Sequence, residues 1–315
     1  MRHLPLRIVS YNVRYFGHQL RGLASTRGAK WRIASAIAHL DPAPDIICLQ
    51  EVESASLRSR AAHRPAHPDE TQLEAFMGEL QIAFHRVNKR FHYEAFYFKA
   101  HAYKVGPLSL YTTGLAVILN TQRIQVRHHN GAKPHSITHH HVRLMRNRKQ
   151  RRICAHMHLA DSAGHSFILF NTHLSLPTPF HRGYWSRREK MGFGINQLHE
   201  ARTLATFVKH HAASHPFLVC GDFNAPPGSP VYRYLTEDAR FTGAQEALGQ
   251  IDPRKPQAFP TAAFARWRMH LDHLFSGGSL KWLDLQGSAP CTDRSNPFAG
   301  LSDHTPLIAR FELPR

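Results

Sequence analysis

Apolar runs too short for a helix, each stopping on a polar residue, constrain this chain more than any other feature. Ile8–Tyr11 leads into Asn12, Ile46–Leu49 into Glu51, Phe167–Phe170 into His173, and Phe217–Cys220 into Asp222 and Asn224. Asp303 and His304 stand just before Leu307–Phe311. Runs of this length read as strands. Carboxylates are costly to bury unless they are paired or bound to metal, so a set of them at strand ends predicts one shared crevice.

Strands are expected over Arg7–Arg14, Asp45–Val52, Gly114–Asn120, Arg152–Leu159, Phe167–Leu174, Phe217–Phe223 and Leu271–Phe275. In Arg152–Leu159 the residues Ile153, Ala155, Met157 and Leu159 alternate against Cys154, His156 and His158, the period of a half-buried strand. Helical spacing lies between the strands, in Trp31–Leu40, Thr71–Phe84 and Ile195–Lys209. Apolar stripes of this kind serve core packing rather than a site. Strands and helices mixed throughout indicate an α/β chain. There is no internal repeat. Residues 55–70 and 127–150 are polar and are expected to be loops or insertions.

Hydrophobic residues make up 42% of the 315, enough for a sizeable core, which excludes wholesale disorder. No apolar run approaches the roughly 20 residues of a membrane helix. Met1–Arg7 lacks the features of a secretory signal, so a cytoplasmic location is expected. Cys48, Cys154, Cys220 and Cys291 are far apart and form no paired motif; they read as reduced thiols, not as a zinc site. Forty Lys and Arg against 22 Asp and Glu give a net charge of +18. Such a field attracts polyanions, nucleic acid first and an anionic membrane surface second. The 26 His residues add positive charge as pH falls through about 6.5.

The residue types at the strand ends suit phosphate-ester hydrolysis. A carboxylate such as Glu51 is the kind of oxygen ligand that Mg²⁺ takes, with Mn²⁺ as the substitute. The metal would neutralise charge on the phosphate and on the leaving oxygen. Asp222 could orient and deprotonate a water, and His304 could donate to a phosphoryl oxygen if a second carboxylate held its ring. Asn12 and Asn224 could contact ligands without adding charge. Each residue taken singly also has a plainer reading. Asn12 could be a turn residue, Glu51 a salt-bridge partner, and Asp222–Asn224 before Pro226, Pro227 and Gly228 a turn. His173 could be a hydrogen-bonded structural residue, and Asp303-His304 a cap on the last strand.

The ordered set Tyr11-Asn12, Leu49-Gln50-Glu51, Asn171-Thr172-His173-Leu174, Gly221-Asp222-Phe223-Asn224, Leu271-Asp272-His273 and Ser302-Asp303-His304 resembles the endonuclease/exonuclease/phosphatase superfamily. The motifs run from residue 11 to 304. The resemblance implies one catalytic domain over 1–315, folded as a four-layer α/β sandwich of two mixed sheets packed face to face with helices outside. It implies Glu51 as the principal metal ligand with Asn12 close by and Asp303 as a second carboxylate. Asp222 then activates the water, Asn224 orients water or phosphate, His304 binds phosphate and Asp272 holds His304. His173 contacts phosphate or assists the leaving group. Asn171–Leu174 departs from the pattern of exonuclease III-type abasic-site enzymes, which argues against that branch.

Two regions could set the substrate. Arg143–Arg152 carries six basic residues and reads as a solvated face or as a phosphate-backbone contact. Phe180–Arg188 interleaves Phe180, Tyr184 and Trp185 with Arg182, Arg187 and Arg188, which suits base stacking, a lipid interface or a cover over the core. The expected function is a metal-dependent, monomeric nuclease or nucleic-acid-end phosphodiesterase. A phospholipid or phosphoinositide phosphodiesterase is the runner-up, and a non-catalytic nucleic-acid-binding module the third reading. Unused buried charges would destabilise the third.

Overall fold

Successive residues of a strand point to opposite faces, and here both faces of the central strands are covered. The computed structural model describes residues 4–17, 26–53, 71–105, 108–139, 150–177, 190–251, 260–264, 267–286 and 296–314. Strand β1 (Leu6–Asn12) sends Ile8 into one core cluster and Val9 and Tyr11 into another. Strand β2 (Ile46–Val52) divides Ile46 and Cys48 from Ile47 and Leu49 in the same way. Burial on both sides is why these strands read as continuous apolar runs.

The remaining strands among the described residues are β3 (Tyr93–Val105), β4 (Leu108–Asn120), β5 (Ile124–His129), β6 (His135–Ser136), β7 (Ile153–Asp161), β8 (Ser166–His173), β9 (Phe217–Asp222), β10 (Thr242–Gly243), β11 (Ala262–Phe264), β12 (Trp267–Met269), β13 (Asp272–Gly277), β14 (Lys281–Gln286) and β15 (Leu307–Glu312). One sheet has the order β14-β15-β1-β2-β4-β3. The second has the order β10-β13-β9-β8-β7-β5, with β6 paired to β7. Each sheet holds one parallel pair, β1 with β2 and β8 with β9, and its other pairs are antiparallel. Parallel neighbours end at the same edge. The pairing therefore sets Asn12 beside Gln50 and His173 beside Asp222.

The first core cluster lies between the sheets and joins Ile8, Ile46 and Val117 to Met157, Leu169 and Leu218. On the far side of the first sheet, α1 (Arg27–Ala38) and α2 (Gln72–Arg86) contribute Ile33, Ile37, Phe76 and Leu80 to the second cluster. On the far side of the second sheet, α3 (Ile195–Ala212) sets Ala201, Leu204 and Val208 against Ile168, Phe170 and Val219. The result is the expected α/β order of helix, sheet, sheet, helix. Thr26 and Thr71 cap α1 and α2 by accepting from Ala29 N and Glu74 N, each cap contributing about 1 kcal/mol.

A polar link crosses the core directly behind the strand ends. Gln50 Nε2 donates to Asn171 Oδ1 at 2.8 Å, and Asn171 Nδ2 donates to the carbonyls of Leu49 and Ala116, both at 3.2 Å. Both side chains are fully buried. Buried amide groups gain from pairing, and although Gln50 Oε1 has no partner, these bonds tie one sheet to the other just behind the strand ends.

The expected loop 127–150 is partly sheet: β5 runs to His129, and His135 and Ser136 pair with Cys154 and Ile153. Only Ile124 of β5 is buried, so this edge strand carries no apolar alternation to read. Residues 55–70 lie outside the described residues. No helix among the described residues is long and apolar enough to cross a membrane.

Candidate active site

Asp222, the last residue of β9, is the hub of the crevice. Its Oδ2 accepts from Asn12 Nδ2 at 3.1 Å and stands 3.4 Å from His173 Nε2 and 3.7 Å from His304 Nε2. Its Oδ1 accepts from the backbone N–H of Asn224 at 2.9 Å. Burial pushes its pKa up, to about 7. The His304 charge opposes the rise, Asp272 adds to it, and the hydrogen bonds from Asn224 and Asn12 oppose it. A carboxyl poised near neutrality suits a proton acceptor at pH 7.

His304 is held by the first residue of β13. Asp272 Oδ2 lies 2.8 Å from its Nδ1. Burial alone would lower its pKa, but Asp272, Asp222 and Asp303 together raise it well above the ordinary value. The surrounding carboxylates thus favour the imidazolium form, and Nε2 faces Asp222 Oδ2 at 3.7 Å. Thr261 clips the two segments together. Its hydroxyl accepts from the backbone N–H of Leu271 and Asp272, and its carbonyl accepts from Thr305 N. Nothing in the local pattern at Thr261 announces this role.

His173 moves the other way. Burial, then the charges of Arg152 and His304, hold its pKa well below the ordinary value, so it is neutral. Asn224 Nδ2 stands 3.3 Å from His173 Nε2 and donates to the Leu174 carbonyl at 3.0 Å. Gln197 of α3 donates to the Asn224 carbonyl at 3.0 Å. Asn224 takes a positive φ of 49°, a conformation Asn tolerates better than most residues.

Glu51 sits where the pairing of β2 with β4 slips between Gln50 and Val52, at a φ of 56°. A positive φ at Glu is a strained conformation, and a bulge re-aims a side chain. Burial and the Asp303 charge raise its pKa, against His304, Arg152 and a hydrogen bond from Asn12. Its Oε1 is 4.0 Å from His173 Nε2, with the side chain 20% exposed. Asp303 is matched instead by Arg14, whose Nη1 lies 2.8 Å from Oδ2. Ser302 Oγ donates to the Asn12 carbonyl at 2.7 Å and ties this segment to β1.

A model of the endonuclease/exonuclease/phosphatase family matches residues 9–304. The chain belongs to this family. No curated protein matches the sequence significantly. The human Nocturnin catalytic domain, solved with bound sulfate, is similar at 19% identity and a TM-score of 0.64, with 100% of this chain and 95% of that one covered. ANGEL2, a 2′,3′-cyclic phosphatase, shares 16% identity at a TM-score of 0.64, covering 98% and 95%. A mannosyl-6-phosphatase from Bacteroides thetaiotaomicron shares 16% at 0.60, covering 98% and 100%. At these identities the likeness shows the fold.

All eight residues that the family motifs indicated, Asn12, Glu51, His173, Asp222, Asn224, Asp272, Asp303 and His304, meet in this one crevice of the family fold. Three more were not indicated. Arg14 pairs with Asp303. Tyr15 is near enough to Glu51 for that carboxylate, after burial, to raise its pKa. Arg152 is the third, and it corrects an expectation: the basic run was read as a solvated or backbone-contacting face. Arg151 is exposed, but Arg152 is 8% exposed, its Nε has no hydrogen-bond partner, and its charge acts on Glu51 and His173. The strand β7 that begins at Ile153 carries it inward. Residues 143–149 of the run and the aromatic segment 180–188 lie outside the described residues. Cys48, Cys154 and Cys220 are buried free thiols.

Two donor sets could hold a cation. Asp222, Asp272 and His304 offer ligand atoms within 4.8 Å of one another. In that set His304 Nδ1 and Asp272 Oδ2 are already joined at 2.8 Å, which leaves fewer lone pairs for a metal. Glu51 is repelled by Asp303 and is bulged into the crevice, where the base His173, 4.0 Å away, is held neutral. A carboxylate oxygen at this position, beside a second carboxylate, is the kind of donor a hard divalent cation takes.

Proposed function

We propose that this chain is a divalent-metal-dependent phosphodiesterase of one catalytic domain whose substrate is nucleic acid, most of all a nucleic-acid end. The supporting observation is the separation of proton affinities among residues that meet at one place in the fold. Asp222 is raised to about 7, His304 is raised well above its ordinary value, and His173 is lowered well below its own. Titratable neighbours whose environments push their affinities apart mark acid and base roles.

In this reading an Asp222 carboxylate oxygen takes a proton from the attacking water. Asn224 and Asn12 hold that carboxylate and orient the water. His304 donates Nε2–H to a phosphoryl oxygen, and Asp272 keeps its Nδ1 protonated. His173, neutral, assists at the leaving oxygen. Glu51, with Asn12 beside it, would hold Mg²⁺ or Mn²⁺, which neutralises charge on the phosphate and leaving group when bound. The buried Arg152 adds positive charge on the same side.

Two observations favour nucleic acid. The net charge is +18, and a field of that sign steers polyanions to the protein. ANGEL2, which shares the fold, has been solved with adenosine-2′,3′-vanadate. The test is a panel of single-stranded DNA, duplex DNA, RNA with 2′,3′-cyclic ends, a sugar phosphate and phospholipid vesicles, each with Mg²⁺ or EDTA. We expect oligonucleotide turnover only with metal, rising with pH through about 7 as Asp222 ionises, and affinity that falls log-linearly with salt. Turnover that persists after exhaustive chelation, or confined to vesicles or sugar phosphate, would overturn this reading.

A further inference from the structure

The outer face of the second sheet holds another gathering of titratable groups, all of them imidazoles. Strand β7 places His156 and His158 two residues apart and hence on one face. Strand β5 places His128 directly opposite His158. The last turn of α3 sets His211 over them. Ring centroids are 4.6 Å apart for His156 and His211, 5.5 Å for His156 and His158, and 6.1 Å for His128 and His156. His156 is the buried centre. It is 3% exposed, packs on Phe170 and Phe207, and its Nε2 has no hydrogen-bond partner.

A buried nitrogen without a partner is destabilising, and a bound ligand would remove that cost. We propose that His128, His156, His158 and His211 form a site for a borderline transition-metal cation, Zn²⁺ foremost, separate from the catalytic crevice. Imidazole is a preferred ligand of such ions. Zn–N bonds of about 2.0–2.1 Å place ring centroids about 3.2 Å from the ion, and so about 5.2 Å from each other in a tetrahedron. The three separations from His156 to the other rings bracket that value. No three of these rings yet have nitrogens all within 4.8 Å of one another, so ligation turns side chains. The exposed His128 and the half-buried His158 and His211 have room to do so.

Burial and mutual repulsion lower the proton affinities of His156, His158 and His211. Their lone pairs are thus available at neutral pH, as metal binding requires. The site does not reach the crevice. His156 pairs with Phe170, three residues before His173 on β8, about 10 Å along the strand.

The test uses the full-length, tag-free, EDTA-stripped protein, titrated with Zn²⁺ against a chromophoric chelator and with Co²⁺ by its visible absorption. We expect one Zn²⁺ per chain and intense tetrahedral Co²⁺ bands. His158→Ala and His211→Ala should each weaken Zn²⁺ more than tenfold and abolish the bands, with Mg²⁺-dependent turnover unchanged. His210→Ala, at an exposed neighbouring ring, should retain Zn²⁺ affinity and the Co²⁺ bands, and so should Asp222→Asn and Glu51→Gln, whatever their turnover. The proposal fails if no Zn²⁺ binds, if the His158→Ala/His211→Ala double variant binds it like the parent, or if only the crevice variants lose it. Circular dichroism of each variant identifies any loss due to misfolding, in which case His158→Gln and His211→Gln replace the alanines.

Discussion

The crevice, where strand ends of both sheets meet, and the histidine face on the outside of the second sheet are both rich in titratable groups, yet their chemistry diverges. In the crevice, burial raises Asp222 and lowers His173, while the carboxylates Asp272, Asp222 and Asp303 raise His304 against its own burial. On the histidine face the neighbours are alike, and every resolved shift is downward, for His156 to about 3. Burial is common to both. What differs is the sign of the partner's charge, and that decides whether a buried cluster can pass protons or only offers lone pairs.

The largest effects that would break this contrast are in the crevice. Asp222→Asn and His304→Ala should each lower kcat by more than about a hundredfold, the range for lost acid–base or electrostatic help. The double variant should be little worse than either single one, because both act on one transition state. A folded Asp222→Asn protein with near-parental kcat would remove Asp222 from the chemistry. Next comes Glu51→Gln, which should weaken Mg²⁺ and turnover together, with excess Mg²⁺ restoring part of the rate. If Mg²⁺ affinity is unchanged by calorimetry, the ion is held elsewhere.

Arg152 sharpens the contrast from within the basic run. Arg152→Gln should reduce kcat/KM by about tenfold or more, the scale of one charge-assisted contact, and should raise the pKa of His173. Arg151→Gln, at an exposed position, should change kcat/KM less than twofold at moderate salt. Equal effects would make the run a single field rather than one buried group beside a solvated one.

The smallest expected effect is on stability, where the two regions have opposite pH dependence. The folded-state pKa of Asp222 is raised, so its contribution is fully present below the unfolded value near 3.8 and is lost as pH rises through about 7. The folded-state pKa of His156 is depressed from 6.5 to about 3, so its contribution is present above 6.5 and is lost as pH falls. Asp222→Asn should therefore raise the Tm of the metal-free protein at pH 8 by a few degrees, on the order of 1–3 kcal/mol, and not at pH 4. His156→Gln should reduce the loss of stability between pH 7 and pH 5 by about 1 kcal/mol. Thermal unfolding in EDTA across that range measures both.

Much of the fold was legible because its signal is local. The strands that carry the crevice are apolar on both faces and end on the residues that matter, and the helices show their apolar stripes. The strands that escaped notice lack such a signal. β3 spreads Lys99, His101 and Lys104 among its aromatics, and β5 buries only Ile124. Helix α1 begins four residues before Trp31 because Thr26, not an apolar stripe, starts it. Among the crevice residues, those with a motif were found. Arg14, Arg152 and Thr261 were missed because each acts through a contact that no spacing encodes.

What the sequence determined by itself is the two-sided burial of its central strands and the chemistry waiting at their ends, since period and residue type are properties of neighbours in the chain. Only the tertiary structure decided which ends meet and what each group then becomes. Asn12 meets Asp222 across 210 positions, and His304 meets Asp272 across 32. The same residue type is cationic at His304, neutral at His173 and one of several neutral imidazoles around His156. Proton affinity is set by burial and by charges that arrive through space, and those are known only once the sheets have closed on each other.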